Sequence, residues 1–215
     1  MSEALTEACT QGQALLDDLL GTVSEESSRF EAKTISPAFL ASAKCLVFLN
    51  SWRAGVFAGG AYGTGFAIAK SSSGSWTAPC FVTLKKLELG AFFGYEQSRT
   101  LMSALTKSSI QKLIDNEYTE FGSDVTVQLW PVADHGPNDQ ISVSPSDWVT
   151  ASCSTGIIFD FSLSGGGMRI DDEKNHAVYG EGVSAADLLG GSVDKPKEMI
   201  PLYQKITAIS KMALQ

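Results

Sequence analysis

Few residues in this chain could do covalent or acid–base chemistry. There are two histidines, His135 and His176, and four widely separated cysteines, Cys9, Cys45, Cys80 and Cys153. No Cys-x-x-Cys pair occurs, so the spacing offers no zinc cage. His135 stands between Asp134 and Gly136 in a polar stretch and reads as a surface histidine rather than a general base. Asp171, Asp172, Glu173 and His176 cluster, but the glycine of a calcium loop is missing, so the cluster reads as a solvated turn. A Gly-x-Ser-x-Gly nucleophile elbow is absent from the sequence. Gly60, Gly63 and Gly65 run in the reverse order of a dinucleotide fingerprint. The strand-like Phe66–Lys70 follows them, where a phosphate site needs a helix. The expectation is a non-enzymatic protein with no catalytic residue, metal or cofactor. A hydrolase using His135 or His176 with a serine and an aspartate is the weakest alternative.

Charge is the other chemical resource. The formal net charge is −8, which argues against nucleic-acid binding, where cations must displace counterions from phosphates. The charge is unevenly spread. Residues 33–112 hold nine Lys or Arg against Glu88 and Glu96, giving +7, and the rest of the chain carries −15. Within that segment Lys44, Arg53, Lys70, Lys85 and Lys86 are the candidate residues for meeting an acidic partner.

The elements that must position these residues are read from periodicity. Residues 3–23 predict an amphipathic helix, with Leu5, Ala8, Cys9, Gly12, Leu16, Leu19, Leu20 and Val23 on one face and Glu3, Glu7, Asp17 and Asp18 on the other. Interfacial membrane helices carry Lys and Arg on the polar face, and this helix has neither before Arg29. Two roles stay open for it: an acidic flap over the basic surface, or a helix packed on the body. Ser36-Pro37 predicts a side-chain cap and the start of a short helix ending near Lys44.

Cys45–Leu49 predicts a buried strand, and the glycine-dense stretch 54–69 a closely packed strand pair. Ser71–Gly74 predicts a turn, 76–84 a strand and 87–103 a further strand. Ser108 or Ser109 is expected to cap a helix running to about Asp115. Alternation predicts a strand over 124–130, with 133–139 a loop. Two strands are expected over 148–163, broken near Ser154–Gly156, with Gly165–Gly167 a turn or bulge. Ser184 should cap a short helix. Pro196 should begin a last helix with Met199, Ile200, Leu202, Ile206 and Ile209 inward and a kink at Pro201.

This succession predicts an α+β fold: an antiparallel, barrel-like sheet with helices at the N- and C-terminal ends. Residues 1–33 would form the amphipathic helix and its connection, and 34–215 one domain including the C-terminal helix. The N-terminus lacks a basic region followed by an apolar core, and no apolar run approaches the ~20 residues of a membrane span. A cytoplasmic protein with unpaired thiols is the expectation.

Several motifs carry a family resemblance. They are Ile35-Ser36-Pro37, Ala43-Lys44-Cys45-Leu46, Arg53-Ala54-Gly55, Gly59-Gly60, Gly63-Thr64-Gly65 and Gly74-Ser75-Trp76-Thr77-Ala78-Pro79, followed by Gly90, Gly94, Glu96, Gly156, Asn175 and Tyr179-Gly180. In this order they resemble the SYLF domain over roughly residues 34–190. The chain departs from that pattern at Cys45, Ala61, Tyr62, Trp130 and Asp160. Its N-terminal helix is acidic where some members of the family carry a basic one that binds phosphoinositides.

The resemblance implies a non-enzymatic module that binds actin filaments or anionic membrane lipids such as phosphoinositides. It would act at the boundary of membrane and cytoskeleton, in trafficking, through peripheral rather than integral membrane contact. It does not separate actin from lipid. A different class remains as the alternative, a barrel carrying an apolar or lipid ligand. Trp76 and Pro79 are expected to be core and turn determinants.

Overall fold

The computed structural model describes residues 2–20, 35–115, 119–120, 138–144 and 148–214; the side chains of 57–58, 86–93, 119–120, 138–144, 153–166 and 214 are outside that description. The strand expected over 124–130, His135 and most of the 133–139 loop fall outside it as well.

Five strands form one antiparallel sheet: β1 (Cys45–Ala69), β2 (Cys80–Ala104), β3 (Thr119–Glu120), β4 (Asn138–Ser144) and β5 (Trp148–Ile170). β1 pairs with β2 and β2 with β5, while β3 and β4 both pair with β5. Helices lie at both ends of the chain: α1 (Glu3–Leu20) and α2 (Pro37–Ser42) before the sheet, then α4 (Asp172–Tyr179), α5 (Ala185–Gly190) and α6 (Ile200–Lys211) after it. The short α3 (Lys107–Ile114) follows β2. The expected antiparallel α+β fold is therefore found. Among the described residues no pairing joins β1 to β3 or β4, so no hydrogen-bonded closure into a barrel is found there.

The strands are longer than the sequence suggests. Residues 54–69 are the second half of one 25-residue strand, and the expected break near Ser154–Gly156 is absent. Gly165–Gly167 stay in register with Leu87, Lys86 and Lys85. The strands expected over 76–84 and 87–103 are likewise one strand, β2.

β1 doubles back on itself. Phe48 and Phe66 would stand roughly 60 Å apart on a straight strand at ~3.3 Å per residue, yet their rings stack with centroids 4.9 Å apart. The register irregularity between Val56 and Ala58 marks the bend, where extra residues in the partner strand increase local twist. Gly63 and Gly65 make the return possible. A Cβ at Gly65 would collide with the Phe48 carbonyl oxygen, and one at Gly63 would come within 2.8 Å of Ser51 Cβ. Glycine here serves close backbone approach.

Alternation along β1 sends side chains to two cores. Leu46, Phe48, Phe66 and Ile68 lie under α1, α2 and α6 with Leu16, Leu19, Leu40, Leu202 and Ile206. Cys45, Val47, Leu49, Ala67 and Ala69 face the other way, onto Leu113, Trp148, Leu188 and Leu189. Burial on both faces explains the continuous apolar run Cys45–Leu49. Trp76 and Pro79 are buried, as expected.

α1 packs on the body with the predicted face inward; Leu16 and Leu19 are 0% exposed. Two of its acids also face the body: Asp18 takes a 2.6 Å ion pair from Arg99, and Asp17 pairs with Lys205 of α6, while Glu3 and Glu7 are exposed. Local signals at the other helices are mixed. Ser36 makes no side-chain cap, although Pro37 does begin α2. Thr106, rather than Ser108 or Ser109, caps α3 by accepting from the Ser109 amide. Ser184 caps α5 in a reciprocal box with Asp187. Pro201 sits in the first turn of α6, so it starts the helix without kinking it, and Ile200 faces solvent at 44% exposure. Among the described residues no helix is long and apolar enough to cross a membrane.

Candidate binding site

The structure divides the five candidate cations between two places. Lys44 and Lys70 meet where the ends of β1 come together, the Lys70 amide donating to the Lys44 carbonyl at 2.8 Å. Lys85 lies on the doubled-back arm, opposite Tyr62, which is eight residues along the chain from Lys70, or roughly 26 Å at ~3.3 Å per residue. It pairs across the strands with Tyr62, and both are exposed. Lys86 is opposite Ala61 in register, and its side chain is among those not described. Arg53 is half-buried and paired with Glu96 at 3.5 Å, so much of its charge is answered locally.

The arm also exposes apolar surface. Trp52 is 48% exposed, Val56 57%, Tyr62 51% and Tyr95 46%. Trp52 and Tyr95 touch, with ring centroids 5.6 Å apart. Trp52 and Val56 belong to the alternate set of β1 positions that also contains Leu46 and Phe48. The arm therefore carries on a face whose base the helices cover. Of these side chains Tyr62 faces a cation, Lys85, across the strands.

At the base, Lys70 is held in place. Its Nζ donates to the Ala41 carbonyl at 2.9 Å and lies 5.1 Å from the Trp76 ring centroid. Burial, followed by the charge of Lys44, lowers its pKa from the usual lysine value. Beside it is a cavity of about 410 Å³ whose wall includes Lys70, Lys195, Lys211, Ser75, Thr207 and Ser210. Charge counting along the chain misses Lys195 and Lys211 because they lie in its acidic part. A signal was present in α6: Tyr203, Thr207, Ser210 and Lys211 recur at helical spacing, on the face adjoining that of the core residues Leu202 and Ile206.

The remaining reactive groups are quiet. Cys9, Cys45 and Cys80 are buried free thiols, and the side chain of Cys153 is not described. Burial pushes the Cys80 thiol up to about 12, and burial followed by proximity to Cys80 pushes Cys45 higher still. His176 is exposed on α4, and Asp171 caps that helix by accepting from the Lys174 amide. No group of three metal-ligating side chains converges among the described residues.

A family model described as "Ysc84: Las17-binding protein actin regulator" matches residues 85–209. The chain belongs to this SYLF (Ysc84) family. Its relatives include the "SH3 domain-containing protein PJ696.02" of Schizosaccharomyces pombe, 25% identical over 82% of this chain and 41% of the relative. The "SH3 domain-containing YSC84-like protein 1" of Xenopus laevis is 25% identical over 83% of this chain and 54% of the relative. "LAS seventeen-binding protein 3" of Saccharomyces cerevisiae is 24% identical over 80% of this chain and 38% of the relative. The SYLF chain thus spans about half the length, or less, of these curated relatives. No solved structure matches it.

Family membership places the earlier motifs in the fold. Gly63-Thr64-Gly65 is the return of β1, and Gly74-Ser75-Trp76 borders the cavity. Asn175 locks α4 to β2. Its Oδ1 accepts from the Phe81 amide at 2.8 Å, and its Nδ2 donates to the Phe81 carbonyl at 3.1 Å. Tyr179 donates to the Pro79 carbonyl at 2.8 Å.

Proposed function

We propose that this SYLF chain is a non-enzymatic, cytoplasmic binding module of the actin machinery, and that its arm docks on the acidic surface of the actin filament. The observation that carries the reading is the exposed Tyr62–Lys85 pair on the arm of a protein whose family is described as actin-regulating. A lysine beside exposed aromatics suits an acidic protein surface, because the rings supply contact area and the ammonium steers the approach. Lys86 is the next residue of β2 on the same arm, the charge of Arg53 is largely met by Glu96, and Lys44 and Lys70 add cations at the base.

A second reading has its own support. Exposed Trp52, Tyr62 and Tyr95 on the arm that carries Lys85 also suit the interface of an anionic bilayer, where aromatic rings sit at headgroup level and each nearby cation adds about 1 kcal/mol. That would make the chain a peripheral membrane protein. The carrier alternative is less supported, because the described inward positions of β1 are filled by the side chains of the two cores.

Co-sedimentation tests the proposal. The full chain should pellet with actin filaments, and the Lys85→Glu variant should pellet less. Pelleting with phosphatidylserine vesicles and not with filaments would transfer the arm to the membrane reading. Pelleting with neither would overturn both.

A further inference from the structure

We infer that the cavity between the Ser71–Ser75 turn, α2 and α6 is a binding site for a small phosphate-bearing anion. The site is distinct from the arm surface and does not depend on what the arm binds.

The charge of the cavity is out of keeping with the protein. The chain as a whole is −8, yet Lys70, Lys195 and Lys211 converge on one cavity of about 410 Å³, with no aspartate or glutamate among the described residues of its wall. The described ion pairs engage Arg53, Arg99 and Lys205, and none engages these three lysines. Like charges gathered without a counter-charge repel one another, and a bound anion relieves that cost.

Lys70 gives the site a fixed point. The Ala41 carbonyl and the Trp76 ring hold its ammonium, and an ammonium has three N–H donors, so two remain after the bond to Ala41. Lys195 and Lys211, also in the wall, are exposed and adjustable. Ser75 adds a hydroxyl from a network in which Ser71, Ser73 and Ser75 lie 2.8–3.1 Å apart and either partner of each bond can donate. Thr207 and Ser210 have their hydroxyl protons committed to the Tyr203 and Ile206 carbonyls, so they shape the wall and donate nothing.

Three cations and a hydroxyl suit a ligand of two or three negative charges with several acceptor oxygens. A phosphomonoester or diphosphate meets that description and a monocarboxylate does not. The volume admits a diphosphate or one phosphorylated ring. The phosphate could be free in solution or belong to a lipid headgroup.

The test is an amide NMR titration of the full chain with inorganic pyrophosphate, at about 0.15 M salt so that weak surface attraction is screened. The expected result is saturable shifts centred on Lys70, Gly74, Ser75, Thr207 and Lys211. Affinity should fall about tenfold or more in K195A/K211A, whose exposed side chains make no hydrogen bond or ion pair among the described residues, and stay unchanged in K85A. Absence of saturation, shifts confined to other residues, or equal affinity in K195A/K211A would overturn the inference.

Vesicles separate the two sources. If phosphatidic acid vesicles retain the protein where phosphatidylserine vesicles do not, and pyrophosphate releases it, the pocket takes a lipid headgroup. Pyrophosphate binding without such retention assigns it a free phosphate. Both results support the pocket.

Discussion

The amide of Lys70 donates to the carbonyl of Lys44 at 2.8 Å, so the residues flanking the two ends of one 25-residue strand are hydrogen-bonded to each other. This contact fixes the shape of the molecule. It brings Phe48 against Phe66, carries the first half of β1 across Gly63 and Gly65, and leaves the middle of the strand as a projecting arm. It also brings two cations together at the base of that arm.

The return of β1 predicts a sharp difference between glycines. Gly65→Ala would drive a methyl group into the Phe48 carbonyl and should cost about 3 kcal/mol or prevent folding. Gly74 has φ +79 with open space around it, so Gly74→Ala meets only the left-handed penalty of about 1–2 kcal/mol. Urea unfolding of the two variants checks this. Equal losses would mean that β1 does not cross itself at Gly65.

The N-terminal helix should behave as part of the core. Leu16→Ala removes a fully buried side chain and should cost about 2–5 kcal/mol. Deleting residues 1–20 should lower the unfolding midpoint and give no gain in filament binding, because Asp17 and Asp18 are engaged by Lys205 and Arg99 on the body. A stable deletion variant with tighter, salt-sensitive binding would restore the acidic flap.

Alkali should weaken the fold through buried acids kept protonated. Cys80 is raised from 9.0 to about 12 by burial, and Tyr203, whose hydroxyl donates to the Thr77 carbonyl at 2.7 Å, is also raised by burial. These groups ionise earlier in the unfolded chain than in the folded one. Their contribution is complete below pH 9 and is lost as pH rises toward the folded value near 12. The urea midpoint should therefore fall steadily above about pH 9, less steeply in Cys80→Ala. In the native protein at pH 8 a thiol reagent should leave Cys45 and Cys80 unmodified.

The sequence made the faces of elements legible more readily than their lengths. The leucine spacing of α1, the cap at Ser184 and the buried run Cys45–Leu49 are local signals, and each is found. Glycine is ambiguous because a turn and a close backbone approach both favour a missing Cβ. Gly63, Gly65 and Gly165–Gly167 lie inside strands for the second reason or simply in register. The cations divide in the same way. Lys44 and Lys70 stand out in a basic segment, but Lys195 and Lys211 share a cavity wall with Lys70 only through the packing of the C-terminal segment on the base of the arm.

The central claim is that the arm is a docking surface for an acidic partner, and Lys85 on that arm is exposed at the position facing Tyr62. Filament co-sedimentation of wild type and Lys85→Glu, with unfolding midpoints confirming that both are folded, tests it most directly. The account predicts saturable binding by the wild type, weakened about fivefold by the reversal and less so at high salt, where exposed charges are screened over about 8–10 Å. A folded Lys85→Glu variant that binds filaments as tightly as wild type at every salt concentration would contradict it.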